Sequence, residues 1–479
     1  MNYRVVLNVL GTVTKFIGIS MLVPLLVAVF YNEQDSVRIF LTISILAFIT
    51  GLVIEYLCRT QFDELTSRES IVIVAAGWFF AALFGAFPFM LSGISPIDAV
   101  FESMAGFTTT GSSILTNIEI YSRSIIFWRS MTQWLGGMGI IVLVMAILPK
   151  LAVAGRQMFH SEAPGPIKDK LKPRLKDTAQ ILWEVYITFT IVEIILLKYA
   201  GMTFFDAIVH TFSTMSTGGF SSRNESIAAF GSPLIEFIIL VFMFIGGMNF
   251  NLFYRTLRVE RRSLLRDSEF RWYFFIVLIS SLLIALELWN WGDTFVDSIR
   301  YASFQVVSTI TTTGFASTDF NLWPDSTKLI LLMLMFVGGS AGSTGGALKV
   351  IRVVLLIKYG IREIYRSIHP KMVKPIRFGD TFIPEDVMQA VLSFFVLYLL
   401  VFITSALILS ILGLDIMTSL SASATTLGNV GPGFNIIGPM ANFSTIPVIG
   451  KIILIINMWI GRLEVLTVLI LFIPSFWKK

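Results

Sequence analysis

One cysteine, Cys58, and three histidines, His160, His210 and His369, are all that 479 residues provide of thiol and imidazole metal ligands. A single thiol excludes an intramolecular disulfide and a cysteine-based metal cluster. The histidines stand far apart in the chain, so they form no local metal motif. Charge is also scarce. Asp, Glu, Lys and Arg make up 14% of the residues, against about a quarter in an ordinary soluble domain. No acid pair, histidine cluster or Ser–Lys or Ser–His pair recurs at membrane depth, which disfavours an intramembrane enzyme. The one glycine-dense stretch, "GGSAGSTGG" at 338–346, is followed by no GK[ST] and preceded by no soluble strand, so it is not a phosphate-binding loop.

Apolar sequence fills the space that charge leaves. Hydrophobic residues reach 55% and the mean hydropathy is +0.79. Runs such as 39–57, 71–91 and 390–412 are long enough to cross a bilayer, which takes about 20 apolar residues. The chain is therefore read as a polytopic, all-α membrane protein. Its N-terminal apolar run has no small-residue cleavage site after it and is read as a retained span. Lys and Arg concentrate at 149–180, 254–271 and 349–377, which the positive-inside rule places in the cytoplasm with both termini. These charges set orientation, and a docking surface for a cytoplasmic partner is compatible with that. They flank spans and form no separate basic domain, which argues against nucleic-acid binding.

Four polar, glycine-containing patches interrupt the apolar sequence: "GFTTTGSSI" (106–114), "STMSTGGFSS" (213–222), "STITTTGFASTDF" (308–320) and "SATTLGNVGPGF" (423–434). An acid precedes each. Asp98, Asp206 and Asp415 lie 13 residues before Gly111, Gly219 and Gly428, and Asp297 lies 17 before Gly314. The intervening stretch makes about three helical turns, roughly 20 Å or less, too short to span. Each patch is followed by a second signature, "WLGGMG" (134–139), "FIGGMN" (244–249), "FVGGSAGS" (336–343) and "WIGRLE" (459–464). The chain thus reads as four copies of span, re-entrant helix, polar loop and span, at 70–150, 178–258, 270–360 and 384–476. An N-terminal span pair and its loop, 1–69, precede them, for ten spans in all.

Irregular backbone at membrane depth persists only where it lines a cavity or is buried in protein. Four such loops can close around one axis. The negative ends of four short helices would point at its centre and favour a cation. No acid lies within the loops, and a ring of neutral carbonyl and hydroxyl oxygens suits a weakly hydrated monovalent ion. Glycine at 111, 219, 314 and 428 lets carbonyls turn inward.

The loops "FTTTGSS", "MSTGGFS", "TTTGFASTDF" and "LGNVGPG", with "GGSAGSTGGALK" and "GRLEVLT", resemble the potassium-uptake family that includes TrkH and KtrB, over essentially all of 1–479. The leading span pair favours the TrkH branch. The resemblance implies a K⁺-translocating subunit of the bacterial inner membrane, a homodimer with one pore per subunit, and a TrkA-type nucleotide-binding ring beneath. No organic cofactor is implied in this chain. A Na⁺-permeant or Na⁺-coupled relative is the rival reading. By the family's pattern the filter holds Thr109, Thr110 and Gly111; Thr217, Gly218 and Gly219; Thr312, Thr313 and Gly314; and Leu427, Gly428 and Asn429.

The glycine-dense segment interrupts what should be the last span of the third copy. The resemblance assigns its residues, Gly338, Gly339, Ser340, Ala341, Gly342, Ser343, Thr344, Gly345 and Gly346, to a gate under the filter. Arg462 stands where the other copies have Gly137, Gly247 and Gly339. An arginine inside a span faces a partner or a cavity, and the expectation is that it faces the pore. Glu464, two residues away, points to another side of the helix. Glu102 and Arg129 are expected to pair with each other.

Overall fold

The computed structural model describes residues 1–60, 66–147, 175–258, 260 and 262–477. Most of the basic segment 149–180 lies outside them. The described chain is nearly all helical, and a two-residue hairpin pairs Arg377–Phe378 with Thr381–Phe382. Among the described residues, five helical segments are long and apolar enough to cross a membrane: Tyr3–Phe30, which divides at Met21, Gln34–Leu57, Ser67–Leu91, Ser268–Trp291 and Glu385–Ile411. Two further helix pairs qualify only together, because each bends sharply. The helices Arg123–Ile147 and Leu175–Tyr199 have 25 residues each.

The bends correct the expectation of a single broken span. The second copy folds by 97° between Pro233–Gly246 and Phe250, and the fourth by 117° between Arg462 and Val465. The first of these follows the Gly246–Gly247 pair. The second passes through Glu464, whose φ of 62° is a left-handed value that no helix interior accommodates. In the third copy the helix Asp325–Leu334 ends early and the chain resumes at Val350–Ile368.

Four short helices, Pro96–Phe107, Phe204–Met215, Phe295–Ile310 and Ile416–Gly428, lie between these longer elements. Each starts on a side-chain cap that satisfies an otherwise unpaired first-turn N–H. Ser95, Thr203 and Thr294 accept from the backbone of Asp98, Asp206 and Asp297. In the fourth helix the acid itself is the cap, and Asp415 accepts from Thr418. The other three acids sit three positions inside the cap, in the first turn, where the helix dipole also favours them.

Two large apolar clusters hold the helices together. One joins Phe101, Trp128, Phe443 and Leu454 of the first and fourth copies to Ile17 and Phe40 of the N-terminal pair. The other joins Ile239, Tyr273, Ile284, Phe304 and Phe315 of the second and third. The N-terminal pair crosses at small residues, as membrane helices without a hydrophobic drive between them do. Ser44 donates to the Gly18 carbonyl at 2.7 Å, and Glu55 accepts from Lys15 and Thr12, each at 2.5 Å. A Cβ on Gly51 would lie 2.5 Å from the Gly11 carbonyl oxygen. Gly51→Val is therefore expected to destabilise this crossing by about 1–3 kcal/mol. Thermal unfolding should fall, while ion selectivity of the folded protein, measured in liposomes, stays unchanged.

Candidate functional site

Each short helix ends in the same backbone figure. The first three place a threonine and then a glycine, two residues on, in the left-handed region: Thr109 and Gly111 (φ 53° and 78°), Thr217 and Gly219 (54° and 75°), Thr312 and Gly314 (59° and 80°). In the fourth the pair is Asn429 and Gly431 (54° and 116°), with Gly428 still helical. This corrects the register of the fourth loop. Leu427, Gly428 and Asn429 do not stand opposite the three other triplets; Asn429, Val430 and Gly431 do. The triplet moves by two residues and the glycine matched to Gly111 moves by three, from Gly428 to Gly431, and the cause is physical. Counting from the acid works only while the acid holds one position, and Asp415 is the cap where the others lie three residues inside. Counted from the caps, Ser95 to Gly111, Thr203 to Gly219 and Asp415 to Gly431 all span 16 residues, and Thr294 to Gly314 spans 20.

The four loops meet in a closed ring. A Cβ added to Gly111 would overlap the carbonyl oxygen of Gly218, one on Gly219 that of Thr313, and one on Gly314 that of Val430. A Cβ on Gly431 would lie 3.0 Å from the carbonyl oxygen of Thr110. Each glycine thus backs onto the middle carbonyl of the next loop, and the fourth returns to the first. Glycine is needed here for close approach as well as for its φ. No carboxylate belongs to any of the four triplets.

The left-handed threonines are the strained members, because a β-branched residue there costs about 1–3 kcal/mol. Their hydroxyls are all engaged on the side of the glycine-dense segment. Thr109 Oγ1 accepts from Arg462 at 2.9 Å. Thr217 Oγ1 donates to the Ser216 carbonyl and lies 3.2 Å from Thr344 Oγ1. Thr312 Oγ1 accepts from the Gly346 amide at 2.7 Å. Asn429, of a type that tolerates this conformation, donates through Nδ2 to Thr110 Oγ1 and to the Met458 carbonyl.

The segment 338–346 is pinched at its base. Gly338 donates to Leu348 at 2.7 Å, Leu348 to Phe336 at 3.2 Å and Val350 to Gly339 at 3.2 Å. From there it reaches across the base of the ring. Ser340 donates to the Gly247 carbonyl at 2.8 Å, and Gly342 accepts from Phe250. Thr344 Oγ1 is shared among the Met215 and Gly246 carbonyls and Thr217. A Cβ on Gly345 would sit 3.0 Å from the Thr311 carbonyl oxygen, and one on Gly346 3.0 Å from Asn429 Cβ. Lys349 Nζ donates to the Gly345 carbonyl. Ala341 is partly buried beside these contacts and Ser343 Oγ packs among Gly339 and Gly345.

Arg462 does not turn away to a membrane surface. Its guanidinium donates to Thr109 Oγ1, to the Thr344 carbonyl at 2.8 Å and to the Gly136 and Gly137 carbonyls at 2.9 and 3.3 Å, and lies 5.5 Å from the centre of the Trp78 ring. Glycines at the matched sequence positions show the same reach. A Cβ on Gly137 would meet Ser216, and one on Gly247 would meet Thr311, so each faces the base of the next copy's loop. Arg462 faces the base of the first copy's loop in the same way. Glu464 pairs instead with Arg352, at 2.8 and 2.9 Å. Among the described residues, no group of three or more His, Cys, Asp or Glu could hold a metal ion.

Behind the first two loops lies a buried pair. Arg129 Nε and Glu102 Oε1 are 2.5 Å apart, with side chains 2% and 0% exposed. Glu102 also accepts from Ser113 and from the Ile114 amide, and Arg129 donates to the Ser221 carbonyl. One ion pair thus ties the segment after the first loop to the segment after the second. Gln133 adds a further tie, donating to the Gly218 carbonyl at 2.6 Å and accepting from Phe220. Sequence reasoning missed Val430, Gly431, Gln133 and Lys349. Aligning the caps, and not the acids, would have found the first two. The others carry no pattern of their own.

A ring of neutral carbonyl oxygens, backed by four helix C-termini and set among helices apolar enough to cross a membrane, suits a cation-transport protein of the bilayer. The comparisons agree. The TrkH family model, described as cation transport protein, matches residues 36–479. The chain is 41% identical to the Trk system potassium uptake protein TrkH of Salmonella typhimurium and 38% identical to that of Halomonas elongata, each over the full length of both chains. It is 35% identical to the Trk system potassium uptake protein TrkG of Escherichia coli over 99% of each. The crystal structure of the potassium transporter TrkH from Vibrio parahaemolyticus superposes with a TM-score of 0.90 at 37% identity, covering 100% of both chains. The chain belongs to the TrkH family. It is a multi-pass membrane protein of a transport family and not an enzyme.

Removing one partner of a buried ion pair leaves an uncompensated charge and costs about 3–5 kcal/mol. Glu102→Gln is thus expected to lower thermal stability sharply. The double variant Glu102→Leu/Arg129→Met should recover much of the loss in the same unfolding assay.

Proposed function

We propose that this chain is the K⁺-translocating pore subunit of a Trk-type uptake system. The observation that carries the reading is the closed ring in which the carbonyls of Thr110, Gly218, Thr313 and Val430 stand in equivalent places. Four neutral carbonyls can replace the water shell of a weakly hydrated monovalent cation, and the converging helix ends add partial negative charge. Divalent ions more usually recruit carboxylates, and the triplets have none. The relatives named for potassium uptake, at 41% and 38% identity over their whole length, point the same way. On this reading Thr109–Gly111, Thr217–Gly219, Thr312–Gly314 and Asn429–Gly431 form the selectivity filter.

The segment 338–346 and Arg462 are then the gate. Support comes from their bonds to Thr109, Thr217 and Thr312, the residues at the base of the ring. A fixed guanidinium in a low-dielectric pore opposes a cation by Coulomb repulsion. Its donors also hold the loop through the Thr344 carbonyl. The basic segments face the cytoplasm, where a nucleotide-binding ring of the TrkA kind acts on the gate, and the working unit is a homodimer in the bacterial inner membrane.

Two expectations test the two halves of this reading. Gly219→Ser and Gly314→Ser should degrade K⁺ over Na⁺ preference in proteoliposome flux while the protein still inserts; unchanged preference in both would remove these loops from the filter. Arg462→Gln, and deletion of residues 340–344, should raise flux at matched protein density. A tenfold rise corresponds to about 1.4 kcal/mol off the barrier. Arg462→Lys should fall between, since it keeps the charge and loses the planar fork. Lower flux in well-folded Arg462→Gln would make the arginine a conduction element.

A further inference from the structure

Glu269 is the second residue of the helix Ser268–Trp291, and its side chain is not used by that helix. Asp267 is the cap and accepts from the Phe270 amide at 2.8 Å. Glu269 is 7% exposed and turns inward. Its Oε1 accepts from the Ala341 amide at 2.8 Å and from the Ile351 amide at 3.2 Å. The first donor lies within the glycine-dense segment; the second lies in the first turn of Val350–Ile368, the helix that follows it. One oxygen therefore holds the loop and the element onto which the loop is strung.

The helix needs this help. Its N-cap is Lys349, whose side chain makes no cap bond and donates to the Gly345 carbonyl instead. A helix start without its own cap leaves first-turn amides to be satisfied by other groups, and a carboxylate is the favoured partner at that end of the dipole. Five glycines in nine residues give the loop little conformational preference, so its position depends on such external bonds. Sequence patterns give no hint of the contact, because Glu269 lies 72 and 82 residues from its two donors.

We propose that Glu269 is a positioning residue of the gate: its carboxylate clasps the loop and caps the helix behind it in trans, and so sets the closed conformation. The inference rests on the reading of 338–346 as the gate. It is tested in the full-length protein in liposomes, with Cys58→Ser and Ser343→Cys, by the rate at which a small cationic thiol reagent modifies position 343. Rb⁺ flux and thermal unfolding are measured in parallel. Glu269→Ala is expected to speed modification by about five- to thirtyfold and to raise flux. Glu269→Gln keeps an acceptor oxygen and should retain the slow rate. If Glu269→Ala does not fold, Glu269→Asp, which withdraws the carboxylate, takes its place with the same expectation. Faster modification with unchanged flux supports the clasp and counts against the loop as gate. Unchanged modification and flux in Glu269→Ala overturn the clasp, as does Glu269→Gln behaving like Glu269→Ala; deletion of residues 340–344 then judges the gate by itself.

Discussion

A glycine set so close to the middle carbonyl of the next loop that a side chain would strike it, four times around the ring, is the contact on which the architecture depends. Gly111, Gly219 and Gly314 leave no room for a Cβ, and Gly431 has only slightly more. Each loop passes through the ring by left-handed backbone, with paired positive φ values at its first and third positions. The contact requires four helices that stop at the same depth. Capped starts and short lengths meet that requirement, and the third helix, at 16 residues, reaches the same figure one turn longer.

Strain and charge are concentrated on one side of this ring. The three left-handed threonines are held by bonds to Arg462, Thr344 and Gly346, so the ring and the segment beneath it stabilise each other. Hydrogen bonds to a charged donor contribute about 1.5–3 kcal/mol each, and Arg462 makes them to the first loop, to the glycine-dense segment and to the helix Arg123–Ile147. The proposed gate and the proposed filter are therefore bonded to each other directly. Displacing the segment would take from Thr217 and Thr312 their bonds to Thr344 and Gly346, which gives a physical route between the lower part of the ring and the proposed gate.

Much of this was legible in the sequence because the same physical problem is solved four times. A short helix needs a cap, a tight left-handed exit needs glycine, and a close helix approach needs a small residue; each leaves a mark at a fixed spacing. The glycine of the fourth loop was misplaced by three residues, at Gly428 for Gly431, because Asp415 does the capping itself, while the other acids sit inside a Ser or Thr cap. The bends at Gly247 and Glu464 were missed because hydropathy averaged over a span length stays high across them. Glu269, Gln133 and the Arg352–Glu464 pair act across long chain separations, which no local pattern records. Arg462 was legible for the opposite reason: it breaks a pattern that three glycines keep.

The central claim is that the ring formed by Thr110, Gly218, Thr313 and Val430 coordinates K⁺ with backbone oxygen. Anomalous diffraction from crystals grown in Rb⁺, against matched crystals grown in Na⁺, tests it most directly. The account predicts an anomalous peak on the ring axis, bounded by those four carbonyls and displaced by excess K⁺ far more readily than by Na⁺. Rb⁺ bound elsewhere with the axis empty, or a peak there that Na⁺ displaces as readily as K⁺, would contradict it.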